Sequence, residues 1–423
     1  MSGVPAGGEL ARRLGTFDAV VIGLGSMIGA GVFAAFTPAA QAAGGGLLVG
    51  LAIAALVAFC NATSSAQLAA RYPTSGGTYV YGRERLGDWP GFLAGWGFVI
   101  GKTASCAAMA LTFASYAAPD GWARPVAVAA VLALAAVNYR GVTPTARLAR
   151  VIVTVVLAAL AVVVAASLAG GQARADRLGG WGEVLGEGGL YGLLQSAGLL
   201  FFAFAGYARI ATMGEEVRDP RRAIPRAIAS ALGISLVVYA VVAASILAVL
   251  GADGVAATAA PLAAAVDAGT WSWAGPLVRV GGAAASLGAL LALLAGIGRT
   301  SLAMARNGDL PRWLAAVHPR HRVPHHAEAA LGVVVSLVVA VADLRGAIGF
   351  SSFGVLLYYL VANLAAWTQT AGDRRYPRAW QATGALGCLV LIATLPLASI
   401  LGGLAVCLLG VLYRRHRLAS SRR

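Results

Sequence analysis

The chain has 423 residues, 59% of them hydrophobic and only 12% charged, with a mean hydropathy of +0.77. That composition excludes a soluble domain, whose surface has to be polar, and points to an all-α polytopic membrane protein. The formal charge of +15 raises the question of nucleic acid, but the basic residues recur between apolar stretches instead of forming a patch, so no nucleic-acid partner is expected.

Twelve apolar stretches are expected to cross about 30 Å of hydrocarbon as helices. They lie near 17–40, 47–70, 90–116, 123–138, 147–169, 190–215, 225–250, 272–304, 327–342, 347–370, 379–394 and 396–413. The first 16 residues are polar and glycine-rich with no apolar core, so no cleavable signal peptide is expected. If the N-terminus is cytoplasmic, the inner segments hold most of the arginines, from Arg12 and Arg13 through Arg218–Arg226 to Arg414, Arg415 and Arg417. This is the positive-inside pattern of a plasma-membrane protein with both termini in the cytoplasm. Reading 379–413 as one bent span would send the arginine-rich tail outside, against the bias everywhere else.

Span one carries VVIGLGSMIGAGVF, residues 20–33. Its glycines resemble a phosphate cradle, but a dinucleotide fold needs an acidic ribose ligand about 20 residues later. No Asp or Glu occurs between Asp18 and Glu84. Glycine costs about 1 kcal/mol in a helix interior, so Gly23, Gly25, Gly29 and Gly31 imply either an interruption around Ser26-Met27-Ile28 or close helix packing. Span three, GWGFVIGKTASCAAMALTF, holds Lys102, the only lysine, near its middle. Span six, LLFFAFAGYARIATMGEE, carries Gly206 in mid-run. An interrupted helix is tolerable in lipid only where its freed backbone groups line a cavity or ligand. The loop HPRHRVPHH offers four histidines, but its prolines and arginines argue against a metal site. Cys60, Cys106, Cys388 and Cys407 lie one per span and read as packing residues. No catalytic constellation or cofactor motif appears, so an enzyme is not expected.

Spans one to five (residues 1–170) and six to ten (171–370) form two blocks of similar length, followed by two further spans and a basic tail (371–423). An odd number of spans per block inverts the second against the first, as in many secondary transporters.

IGLGSMIGAGVF in span one, RYPTSGGTYVYGRERLG after span two, NYRGV before span five and FFAFAGYARIATMGEEVRDPRRAIPRAI from span six into seven resemble, in order and spacing, the amino acid–polyamine–organocation family of permeases. The resemblance implies a LeuT-type 5+5 inverted repeat with discontinuous spans one and six, and amino acid transport by alternating access. On that mapping the N–H groups of Ala30 and Gly31 face a substrate carboxylate. The carbonyls of Ile28, Phe202, Ala203 and Ala205 accept from its ammonium, and Phe202, Phe204 or Tyr207 closes over it. Proton-coupled relatives place a lysine in span five, where this chain has Val156. Lys102, too far from either interface to snorkel, is the candidate to take over that role from span three, linking a proton as coupling ion to the closure of span one against span eight. A static bond to the interrupted backbone and a contact to the substrate side chain are the alternatives, and Thr300 and Ser301 keep sodium coupling open. Cation-selecting relatives carry an acid where this chain has Ala208; Arg209 next to it disfavours cationic substrates and favours a neutral or acidic amino acid. Arg209 can equally pair with Glu215 or Glu216 as an inner gate. An amino acid exchanger and an amine or polyamine antiporter are the alternatives within transport, and a channel or receptor outside it.

Overall fold

The computed structural model describes residues 14–73, 76–141, 146–178, 188–214 and 216–420. Among them regular structure is helical, apart from one isolated bridge between Leu14 and Val217. In hydrocarbon every backbone N–H and C=O must be satisfied within the protein, which makes the helix the natural form for these apolar runs.

The first run is divided into α1 (Thr16–Met27), α2 (Ala30–Ala34) and α3 (Phe36–Ala43), followed by α4 (Leu47–Arg71), the short α5 (Gly77–Leu86), α6 (Asp88–Ala117), α7 (Ala123–Tyr139) and α8 (Ala146–Ala169). The second half begins with α9 (Gly189–Phe204), a 3-10 turn at Ala205–Tyr207, and α10 (Ala208–Ala211). Then come α11 (Pro220–Ala256), kinked where Gly251 adopts φ +70°, α12 (Pro261–Asp267), α13 (Gly275–Arg306), α14 (His325–Val341), α15 (Leu344–Trp367), α16 (Arg378–Thr394) and α17 (Leu397–Ser420). Nine helical stretches among the described residues are long and apolar enough to cross a membrane. The stretches expected at 123–138, 327–342 and 379–394 form α7, α14 and α16, of 17 residues each, at the lower end of a spanning length.

Burial separates core helices from lipid-facing ones. Of the most apolar 18 residues of α15, 78% are buried, against 22% for α17. The outer face of α17 presents Leu397, Leu401, Leu404, Leu408 and Leu412, all exposed, at the three- and four-residue spacing of one helical face. Two devices hold the centre. Gly97 and Gly101 of α6 face Gly354 of α15 so closely that a Cβ on Gly354 would lie 2.5 Å from the Gly97 carbonyl oxygen and 2.7 Å from the Gly101 Cα. This is a small-residue crossing in which backbones touch. Beside it the Ser105 and Ser351 hydroxyls lie 2.6 Å apart. Between α4 and α15, the Ser64 hydroxyl donates to Asn363 Oδ1 at 2.6 Å and Asn363 Nδ2 donates to Asn61 Oδ1 at 2.6 Å. Apart from Asn61 Nδ2, these buried polar groups bond to one another, as lipid cannot bond to them.

At the arginine-rich end, Leu14 N–H donates to Glu216 O at 3.1 Å and Arg218 N–H to Leu14 O at 2.8 Å. Arg150 pairs with Asp18 at 2.7 Å. These contacts fasten the start of α1 to the loop after α10 and to α8.

Candidate functional site

α1 ends at Met27, where the chain leaves helical geometry: Ile28 has φ −80°, ψ 44° and Gly29 φ −97°, ψ −136°. Helix resumes at Ala30 and passes almost unbroken through Ala35 into α3, since Ala35 N–H reaches Gly31 O at 2.9 Å and Ala39 N–H reaches Ala35 O at 3.2 Å. The interruption is therefore narrower than the four glycines imply. Gly23 and Gly25 lie inside α1; Gly23 packs on Ile210 and Gly25 on Val153. For these two the close-packing reading is the right one, while Gly29 supplies the turn itself. The second interruption is milder, a single 3-10 turn in which the Ala205 N–H bonds to Phe202 O.

The two interruptions touch. A Cβ on Gly206 would lie 2.2 Å from the Ser26 carbonyl oxygen and 2.6 Å from Met27 N, and one on Gly31 would lie 2.6 Å from the Ala203 Cα. Main chain meets main chain at both points, with glycine on one side of each. Ala30 and Gly31 open a helix, so their N–H groups have no partner within it. Ile28, Ala30, Gly31, Phe202, Ala203, Ala205, Phe204 and Tyr207 are all brought to this junction and all are buried except for traces at Phe202 and Ala203.

Side chains already reach several of the junction's carbonyls. The Tyr239 hydroxyl of α11 lies within hydrogen-bond distance of both Met27 O and Ala203 O, the latter at 2.9 Å, and so bridges the interruptions. Lys102 Nζ donates to Ala205 O at 3.3 Å, and the Tyr359 hydroxyl approaches the same oxygen at 3.4 Å. Of the acceptors expected for a substrate ammonium, Phe202 O is engaged within the turn, Ala203 O by Tyr239 and Ala205 O by Lys102. Lys102 thus bonds to interrupted backbone, one of the alternatives the sequence left open, and it does so at span six, whereas the coupling role was expected through span one and span eight. It stands 14 residues from Asp88 and 15 from Ala117, at the middle of α6, and is 6% exposed. One hydrogen bond leaves most of an ammonium's donor capacity unused.

The aromatic residues sort differently from one another. Phe204 packs on Tyr239 with ring centroids 5.1 Å apart and is fully buried. Tyr207 lies against Tyr359 at 4.9 Å and 30°, and its hydroxyl is buried without a hydrogen-bond partner. Toward the opposite end from the arginine-rich face, Tyr116 donates to Phe33 O at 3.2 Å. Toward the arginine-rich end, Arg209 approaches Glu216 at 4.0 Å with both side chains about a third exposed. Glu215 lies outside the described residues.

Sequence reasoning missed Tyr239 and Tyr359. The available signal was a tyrosine in the middle of an apolar span, whose hydroxyl must find a partner. In both cases that partner is an interrupted helix.

A family model described as amino acid permease matches residues 14–412. An uncharacterized transporter of Mycobacterium tuberculosis is 60% identical over 403 residues, 95% of this chain and 90% of that protein. Cationic amino acid transporter 7, chloroplastic, of Arabidopsis thaliana is 28% identical over 386 residues, 85% of this chain and 65% of that protein. The branched-chain amino acid permease BcaP of Bacillus subtilis is 26% identical over 434 residues, 95% of this chain and 92% of that protein.

Proposed function

The chain belongs to the amino acid permease family, a family of membrane transporters and not of enzymes, and from that premise we propose that it carries a neutral or acidic amino acid across the plasma membrane by proton-coupled alternating access. One observation carries the reading: two interrupted helices meet backbone to backbone, at Gly31 on Ala203 and Gly206 on Ser26. Such a junction offers N–H groups to a carboxylate and carbonyls to an ammonium, with no side chain needed to read the head group.

On this reading twelve spans form a 5+5 inverted repeat, residues 1–170 and 171–370, with two additional spans in 371–423 and both termini in the cytoplasm. Substrate enters by displacing the donors that occupy the carbonyls. Its ammonium replaces the Tyr239 hydroxyl at Met27 and Ala203 or the Lys102 amine at Ala205. The displaced Lys102 amine takes up a proton from the side on which substrate enters and gives it up on the far side, which ties the charge state of α6 to occupancy of the α9–α10 interruption. Its contact at Ala205 favours this route over one through span one.

The selectivity reading rests on Arg209, one turn beyond Gly206 and incompletely neutralised by Glu216 at 4.0 Å. A positive group there repels cationic substrates. The branched-chain relative's name agrees with a neutral substrate, and the chloroplastic relative's name supports a cationic one as the second reading. Purified protein in proteoliposomes, with an imposed proton gradient, is to be assayed for uptake of each amino acid. Accumulation of neutral or acidic amino acids that collapses with the gradient, and is stimulated by substrate on the far side, supports the proposal. Best uptake of arginine, or flux that does not saturate, contradicts it.

A further inference from the structure

Away from the interrupted spans, at the arginine-rich end, the molecule has a second polar feature. Asp309, in the segment after α13, is 3% exposed. It accepts from the Tyr79 hydroxyl at 2.7 Å, and pairs with Arg83 at 2.9 Å and with Arg414 of α17 at 3.0 Å. Arg83 also pairs with Asp88 at 2.6 Å. Arg414 is itself buried, its guanidinium 4.5 Å from the Trp89 ring centroid and 4.9 Å from that of Phe92. Both acids are therefore committed to Arg83 and Arg414.

Arg83, Asp88, Asp309 and Arg414 line one wall of a cavity of about 470 Å³ whose other walls include Asn307, Arg312, Arg417 and Ser420. Arg417 spends one nitrogen on the Leu310 carbonyl and the Tyr413 hydroxyl. Arg312 is exposed and makes no hydrogen bond or ion pair among the described residues. With four arginines against two aspartates, the positive surplus sits on Arg312 and Arg417.

The depth of the cavity in the membrane follows from its neighbours. Trp89, which Arg414 covers, and Trp313, next in the chain to Arg312, are 38% and 55% exposed, as tryptophans are at headgroup level. The exposed leucine stripe of α17 ends at Leu412, less than two turns before Arg417. An acyl chain lying along that stripe would carry its headgroup to the height of the cavity.

We propose that this cavity binds the phosphate of an anionic phospholipid headgroup in the leaflet on the basic face. Arg312 and Arg417 are the phosphate ligands, suited by their planar forks to bidentate contact. Asp309 acts as a positioning residue that fixes Arg83 and Arg414 and so shapes the wall. The inference uses the membrane location of the family and holds whatever the protein carries.

The test is native mass spectrometry of the full-length protein in detergent, titrated with phosphatidylglycerol, with phosphatidylcholine, and separately with glycerol 3-phosphate. Phosphatidylglycerol should be retained well above phosphatidylcholine. Arg312→Gln should weaken retention about fivefold and Arg312→Gln/Arg417→Gln about 20-fold, from the attraction of each basic residue to an anionic headgroup. Arg375→Gln, on the same face but outside the cavity, should match the wild type. Arg312→Gln breaks no contact among the described residues, so it carries the comparison even if the double variant is unstable. Undiminished phosphatidylglycerol retention by Arg312→Gln overturns the proposal. Displacement of the lipid by glycerol 3-phosphate at equal concentration overturns its assignment to a lipid.

Discussion

Gly206→Ala tests the junction with the smallest available perturbation. The added Cβ would stand 2.2 Å from the Ser26 carbonyl oxygen, 2.4 Å from the Ser26 carbonyl carbon and 2.6 Å from Met27 N. All three are main-chain atoms, so no side chain can rotate out of the way. Restoring an ordinary contact of 3.4 Å requires about 1.2 Å of separation between the two interruptions. Overpacking of this kind costs about 1–3 kcal/mol, and a 1 Å misplacement of binding groups can lower a rate by about 100-fold. Gly233→Ala is the matched control, since nothing lies within 4 Å of its Cβ position. There helix propensity alone operates, and alanine should stabilise by up to about 1 kcal/mol. The assay is initial uptake in proteoliposomes, paired with thermal unfolding in the same lipid. Gly206→Ala should fold with a lowered Tm and transport about 100-fold more slowly, whereas Gly233→Ala should transport normally. Wild-type uptake by Gly206→Ala would refute a working site at this contact.

Three further outcomes follow from the same geometry. Lys102→Met removes the donor to Ala205 O and should abolish accumulation driven by a proton gradient while leaving some downhill exchange; uphill uptake at the wild-type level would remove Lys102 from the coupling step. Tyr239→Phe strips the shared donor from Met27 O and Ala203 O and should cost about 1–3 kcal/mol of stability, read as a Tm shift that added substrate partly reverses because its ammonium takes over those carbonyls. Arg209→Gln removes the positive charge one turn beyond Gly206 and should raise inhibition by arginine and lysine in competition uptake by about tenfold, an electrostatic change on the order of 1 kcal/mol at short range; an unchanged inhibition profile would place Arg209 in the gate with Glu216 alone.

How much of this was legible beforehand depended on which constraint acted locally. Helix positions were readable because lipid leaves an apolar run few alternatives, so α6, α13 and α15 lie close to where hydropathy put them. The glycines of span one illustrate the limit. Only Gly29 sits in the turn, while Gly23 and Gly31 are glycine because Ile210 and Ala203 press against them. Four such residues look alike in sequence, since both uses demand the absence of a Cβ. The charge of Lys102 marked it as unusual, but its partner lies 103 positions away in the chain. No local pattern specifies such a pairing.

Tyr239 answers a conflict built into such a junction. A transporter junction must be stable when empty yet yield to its ligand, and bare carbonyls buried in hydrocarbon would meet the second need only by violating the first. The tyrosine hydroxyl resolves this by supplying a neutral donor within reach of both Met27 O and Ala203 O. An arriving ammonium makes stronger, charge-assisted bonds to the same oxygens and can displace it. On the proposed reading both interruptions answer to one ligand, because the two oxygens within reach of this single side chain belong one to α1 and one to α9.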